Sequence, residues 1–126
     1  MSEPVAFISR LRVRPGKLDA LKVAWREAAT AIEKDKPGTL VFLSFLDDAG
    51  ERVSIIHVFG DAEAMDRHFV GIAQRGRVAF DYVEALGWEI YGQPSDAAVA
   101  ELRGEAERAG VELTVNPELV SGFLRL

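Results

Sequence analysis

A chain of 126 residues fits one domain, and an apolar fraction of 48% gives it enough material for a core. The formal charge of −5, with no Lys/Arg stripe to offset it, argues against nucleic acid as a partner, and no stretch approaches the roughly 18 apolar residues of a membrane span. The absence of cysteine excludes a disulfide frame, a thiolate metal site and a cysteine nucleophile; with an acid, Glu3, where a leader would carry basic charge, we expect a cytoplasmic protein.

Val5 to Val13 reads as a strand. Val5, Phe7, Leu11 and Val13 share one parity with Ser9, while Ala6, Ile8, Arg10 and Arg12 share the other, so the second face turns polar. Pro15-Gly16 ends the strand, and Pro15 stands where a helix can begin, because its missing N–H costs nothing there. From about Lys17 to Lys36, the residues Leu18, Leu21, Trp25, Ala28 and Ile32 recur at +3 and +4, the apolar stripe of one helix that Pro37-Gly38 stops.

Two apolar runs then flank Asp47-Asp48-Ala49-Gly50-Glu51, a hairpin signal. Both parities of both runs are apolar: Leu40, Phe42 and Leu46 against Val41, Leu43 and Phe45, then Ile56 and Val58 against Val53, Ile55 and Phe59. A hairpin with one wet face should alternate, so both faces of this one need cover. Placing Leu46 opposite Arg52 would set Phe42 against Ile56 and Val41 against His57.

Asp61 reads as the N-cap of a second helix with Ala64, Met65, His68, Phe69 and Ile72 along its apolar side. Gly71 and Gly76 weaken it, and a separate helical piece is expected over about Arg77 to Glu84. Trp88 to Tyr91 reads as a fourth strand. Ser95 caps a third helix that Gly110 ends, and Val111 to Val115 forms a short strand before the Asn116-Pro117 turn. The tail from Leu119 to Leu126 is apolar enough to require packing, on a neighbouring subunit if not on its own. The order through Gly92 is β-α-β-β-α-β, the ferredoxin-like split unit of the α+β class, followed by a C-terminal α-β appendage. We expect a single domain, 1–126, with its core over 5–92 and an extension over 95–126.

The strand followed by Arg14-Pro15-Gly16-Lys17-Leu18, the long amphipathic helix, Lys36-Pro37-Gly38-Thr39-Leu40-Val41-Phe42, the Asp-Asp-Ala-Gly turn, the run from Ile55 to Phe69 and the segment from Trp88 to Ser95 together resemble the antibiotic biosynthesis monooxygenase-like family. The resemblance spans about Val5 to Gly92. It implies a dimeric α/β barrel in which the sheets of two subunits pack face to face, and so a homodimer, in agreement with the two-sided hairpin. It also implies a cofactor-independent monooxygenase acting on a small aromatic phenol, quinol or polyketide-like substrate. A non-catalytic dimeric protein binding a small apolar or aromatic ligand is the alternative. The haem-degrading branch of the family uses an Asn, a Trp and a His in set places; the only Asn here is Asn116, outside the matching segment, so haem is disfavoured.

The chain has two histidines, and both are candidates for catalysis. His57 lies mid-strand between Ile56 and Val58, and His68 shares a helical face with Ala64 and Met65. A histidine among apolar residues is costly unless its ring nitrogens find partners, here each other, Ser44, Ser54, Tyr82 or Tyr91. Either imidazole suits the removal of a phenolic proton, because its unperturbed pKa lies near working pH. Two histidines without a fixed carboxylate fall short of a metal set, although Asp61 or Asp81 could complete one, so neither a metal nor another cofactor is expected. Trp25, Phe42, Phe69, Tyr82, Trp88 and Tyr91 are candidates for the walls of a substrate pocket, against the plainer reading of each as core.

Overall fold

Five strands form one sheet in the order β2-β3-β1-β4-β5, and three helices cover one of its faces among the residues described by this computed structural model, 3–71 and 78–125. The elements run β1 (Val5–Val13), α1 (Leu18–Asp35), β2 (Thr39–Leu46), β3 (Arg52–Phe59), α2 (Ala62–His68), β4 (Val83–Tyr91), α3 (Asp96–Ala109) and β5 (Glu112–Asn116). The first four strands pair antiparallel and β5 runs parallel to β4. This is the α+β, ferredoxin-like βαββαβ arrangement with the α-β appendage added at one edge.

Strand alternation decides where the core sits. On β1, Val5, Phe7, Ser9 and Leu11 are buried while Arg10 and Arg12 are exposed; on β3, Val53, Ile55, His57 and Phe59 are buried. Because paired residues share a face, Ile90, Trp88 and Val83 of β4 join the buried side opposite Phe7, Ser9 and Val13. Two clusters result. Phe7, Phe59, Met65, Trp88, Ile90 and Leu102 gather under α2 and α3, and Leu11, Leu21, Val53, Ile55 and Val83 gather under α1.

Local capping sets the helix starts. Asp61 accepts a hydrogen bond from the Ala64 amide at 2.8 Å, and Ser95 accepts one from the Ala98 amide at 3.1 Å while donating to Asp66 at 2.7 Å. The last of these bonds ties α3 to α2. Gly110, at φ 70°, closes α3 in the left-handed conformation that a side chain would disfavour.

Three expectations change. The hairpin register is one residue away from the expected one: Leu46 pairs with Val53 and Phe42 with His57. The Asp47 carboxylate accepts from the amides of both Glu51 and Arg52, and the Asp47 amide donates to the Arg52 carbonyl, so Asp47 rather than Leu46 closes the loop opposite Arg52. The helical piece expected over about 77–84 is not a helix at its C-terminal end, because Val83 and Glu84 already belong to β4 and pair with Val13 and Arg12; Arg77 and Ile72 lie outside the described residues. β4 therefore starts five residues before Trp88, and a register shift opposite Arg10/Leu11 absorbs Leu86. Finally, Leu119, Val120, Phe123 and Leu124 are exposed, Phe123 at 82%, so the tail does not pack within one subunit.

Among the described residues, no helix lies over the other sheet face. Leu43 and Phe45 stand 48% and 57% exposed there, beside Ile56 and Val58 of β3 and Ala6 and Ile8 of β1, which share that parity.

Candidate functional site

Strand β3 carries His57 onto the covered face, and α2 brings His68 down against it. The imidazoles meet edge to face, their centroids 5.2 Å apart, and both residues are buried, at 5% and 3% exposure. A shell of phenyl rings encloses them: Phe7 and Phe42 lie 5.1 and 5.2 Å from His57, and Phe59 and Phe69 lie 5.0 and 5.7 Å from His68.

In so apolar a place each ring nitrogen needs a partner. His57 Nδ1 donates to the Phe7 carbonyl at 3.0 Å. A carbonyl can only accept, so neutral His57 carries its proton on Nδ1 and its lone pair on Nε2. His68 Nδ1 shares a hydrogen bond of 2.8 Å with Thr39 Oγ1. These partners replace Ser44, Ser54, Tyr82 and Tyr91 of the sequence reading. Ser54 sits opposite Arg10, on the open face.

Thr39 reaches His68 because the chain is stripped down beside it. A Cβ on Gly38 would lie 2.7 Å from the Ala64 Cβ, so only glycine lets α2 settle this close to the start of β2. The Lys36 ammonium reinforces the contact by donating to the Arg67 carbonyl at 2.9 Å.

A cleft of about 310 Å³ opens between α1 and the β2–β3 hairpin. Leu21, Leu46 and Val53 floor it, and Trp25 and Phe42 wall it, with the Ser44 hydroxyl nearby. Phe42 belongs to both places, since its ring also touches His57 and stands 6.5 Å from His68. It is therefore the partition between the cleft and the imidazole pair.

The candidate residues thus separate into groups. His57, His68, Phe42 and Phe69 are brought together. Trp25 joins them through the cleft, and Tyr82 stands edge-on to Trp25 at 6.3 Å. Trp88 is packed in the core opposite Ser9, and Tyr91 lies on the opposite, open face of the sheet. There Tyr91 donates to the Glu89 carboxylate, which Arg10 also holds at 2.6 Å; these two bonds keep the Glu89 carboxyl below the usual range, and the Glu89 contact raises the Tyr91 phenol. Thr39 and Phe59 escaped the sequence reading; a polar residue at the N-terminal end of an otherwise apolar strand was the only signal for Thr39. Among the described residues no three His, Asp or Glu side chains gather in a way that could hold a metal ion, and no helix is long and apolar enough to cross a membrane.

Comparison with known proteins places the fold. The structure superposes on MupZ from Pseudomonas fluorescens with a TM-score of 0.70 at 20% identity, covering 98% of this chain and 96% of that one. It also matches SnoaB, a cofactor-independent oxygenase from Streptomyces nogalater, with a TM-score of 0.62 at 15% identity over 75% and 96% of the two chains. A protein from Shewanella oneidensis matches with a TM-score of 0.58 at 18% identity over 71% and 88%. At these identities the likeness is one of fold. No curated protein sequence matches significantly. The antibiotic biosynthesis monooxygenase family model matches residues 4–71, the span from β1 through α2 that supplies Trp25, Thr39, Phe42, His57 and His68. The chain belongs to the antibiotic biosynthesis monooxygenase family.

Proposed function

We propose that the protein is a cofactor-independent monooxygenase of a small phenolic or quinol-like aromatic compound, acting as a cytoplasmic homodimer with His57 and His68 at its centre. The observation that carries this reading is the imidazole pair held in a water-poor shell of phenyl rings, one ring away from a cleft of about 310 Å³. An imidazole there takes the proton of the phenolic O–H, helped by exclusion of water and by the tautomer that the Phe7 carbonyl imposes on His57. The carbanion form of the substrate reacts with O₂ to give a hydroperoxide, which loses water to leave a quinone carbonyl. One oxygen atom enters the product, the other leaves as water, and the substrate supplies all the electrons. Trp25 and Phe42 would hold the ring, with Phe69 and Tyr82 behind them.

The open sheet face supports the homodimer. Leu43 and Phe45 are exposed there, and two of its arginines are already paired, Arg10 with Glu89 at 2.6 Å and Arg12 with Glu84 at 3.9 Å, so burial against a second copy would leave these charges compensated. The exposed apolar tail belongs with the same assembly.

Oxygen uptake with a panel of quinols and anthrones tests the chemistry. Turnover should fall about 100-fold or more in His57→Ala and in His68→Ala. Full turnover in both folded variants would refute the assignment. One observation favours a second reading, a non-catalytic binding protein: Phe42 screens the imidazoles, which do not themselves line the cleft. Ligand-dependent melting shifts without oxygen uptake would select it.

A further inference from the structure

The mouth of the cleft carries a charge pattern that neither the fold nor the proposed chemistry requires. Lys22 and Arg26 both line it, four residues apart on α1 and so one turn apart on the same side as Trp25. Like charges at this spacing weaken a helix. Of the described arginines, Arg10, Arg12, Arg14, Arg67 and Arg108 each pair with a glutamate, whereas Arg52, Arg103 and Arg125 do not. Among the described residues Lys22 and Arg26 enter no such pair, although the chain has 20 acidic residues against 15 basic ones. No carboxylate is among the described residues that line the cleft. Trp25, between the two cations along the helix, holds the one buried side-chain polar atom among the described residues without a hydrogen-bond partner, its Nε1.

We infer that the cleft takes an anionic aromatic ligand, its flat apolar body against Trp25 and Phe42 and its carboxylate, phenolate or sulfonate group held at the mouth by Lys22 and Arg26. The inference rests on the cleft being the entrance to the proposed site, but not on the oxygen chemistry. Its physical content is simple. An apolar floor accepts the ring whatever its charge, and two cations without carboxylate partners favour the anion over a neutral molecule of the same shape.

Two fluorescent probes with one aryl skeleton test it: 8-anilinonaphthalene-1-sulfonate, which is anionic, and N-phenyl-1-naphthylamine, which is neutral. Binding is read as quenching of Trp25 emission, with Trp25→Phe used to subtract the signal of Trp88, the only other tryptophan. The sulfonate should bind roughly five- to tenfold tighter at low ionic strength, and the margin should shrink as salt is added. Lys22→Gln and Arg26→Gln should each reduce the margin and together abolish it, leaving the neutral probe within about twofold of its original affinity. Both side chains are exposed on α1, so the single variants keep the fold even if the pair does not. Equal affinity for the two probes, or a margin that survives both single substitutions, would overturn the inference. Charge preference without oxygen uptake would leave it standing while removing the oxygenase reading; turnover of neutral quinols without charge preference would do the reverse.

Discussion

The two faces of one sheet have been treated in opposite ways. On the covered face the two imidazoles are individually matched, His57 to the Phe7 carbonyl and His68 to Thr39, within an apolar shell. On the open face, large apolar side chains such as Phe45 meet solvent, and the charged groups pair laterally, Tyr91 and Arg10 both on Glu89. The contrast teaches that the covered face buries its large apolar side chains within one subunit, whereas the open face leaves some of them to solvent. Stability should therefore reside on one side of the sheet and association on the other.

The largest effect separates these two roles. Phe59→Ala removes a fully buried ring that packs on both imidazoles and should cost about 3–5 kcal/mol in chemical denaturation. Phe45→Ser should change the stability of the subunit by no more than about 0.5 kcal/mol while weakening self-association in sedimentation. Equal destabilisation by the two would erase the distinction between the faces.

A smaller effect probes how the covered face is assembled. Gly38→Ala would bring a methyl within 2.7 Å of the Ala64 Cβ, and the crowding should cost about 1–3 kcal/mol as α2 moves off the start of β2. The imidazole NMR signals of His68 should shift with it, because the Thr39 contact depends on that approach; an unchanged His68 spectrum would show that the close packing is dispensable.

The smallest effects lie at the charged groups. Glu89→Gln should cost less than about 1 kcal/mol, since Arg10 is half exposed. The Asp47 carboxyl is held below its ordinary value by the amides of Arg52 and Glu51, and Glu89 by Tyr91 and Arg10. A carboxyl lowered on folding stabilises the protein above its unfolded pKa, near 3.8 for Asp47 and 4.5 for Glu89, and the gain disappears as pH falls through the folded value. Asp47→Asn should therefore lower the neutral plateau by that gain and flatten the acid limb below about pH 4, with the two proteins converging in strong acid. An acid limb identical in the variant would remove Asp47 from the account.

Much of the covered face was legible in the chain. The alternation of Val5, Phe7, Ser9 and Leu11 marked the buried side of β1, and Asp61 and Ser95 announced two helix starts. The candidate site was legible only in part. Which face His57 occupies could not be settled, because both parities of its strand are apolar and periodicity has nothing to distinguish. Tyr91 shared a segment with the buried Trp88 and Ile90, and only odd–even parity sends it to the opposite side. Val83 and Glu84 looked helical because the pull that makes them a strand comes from Val13 and Arg12, some 70 residues away.

Local chemistry along the chain was enough to determine the order of elements, the caps and the two-sided grease of the hairpin, for each depends on neighbours within a turn or two. The meeting of His57 and His68, the partition made by Phe42 and the pairing of Arg10 with Glu89 were decided only in three dimensions. Each depends on which residue stands opposite which across strands or between a helix and the sheet, and a single residue of slip at the Asp47 turn would have placed Phe42 against Ile56 instead of His57.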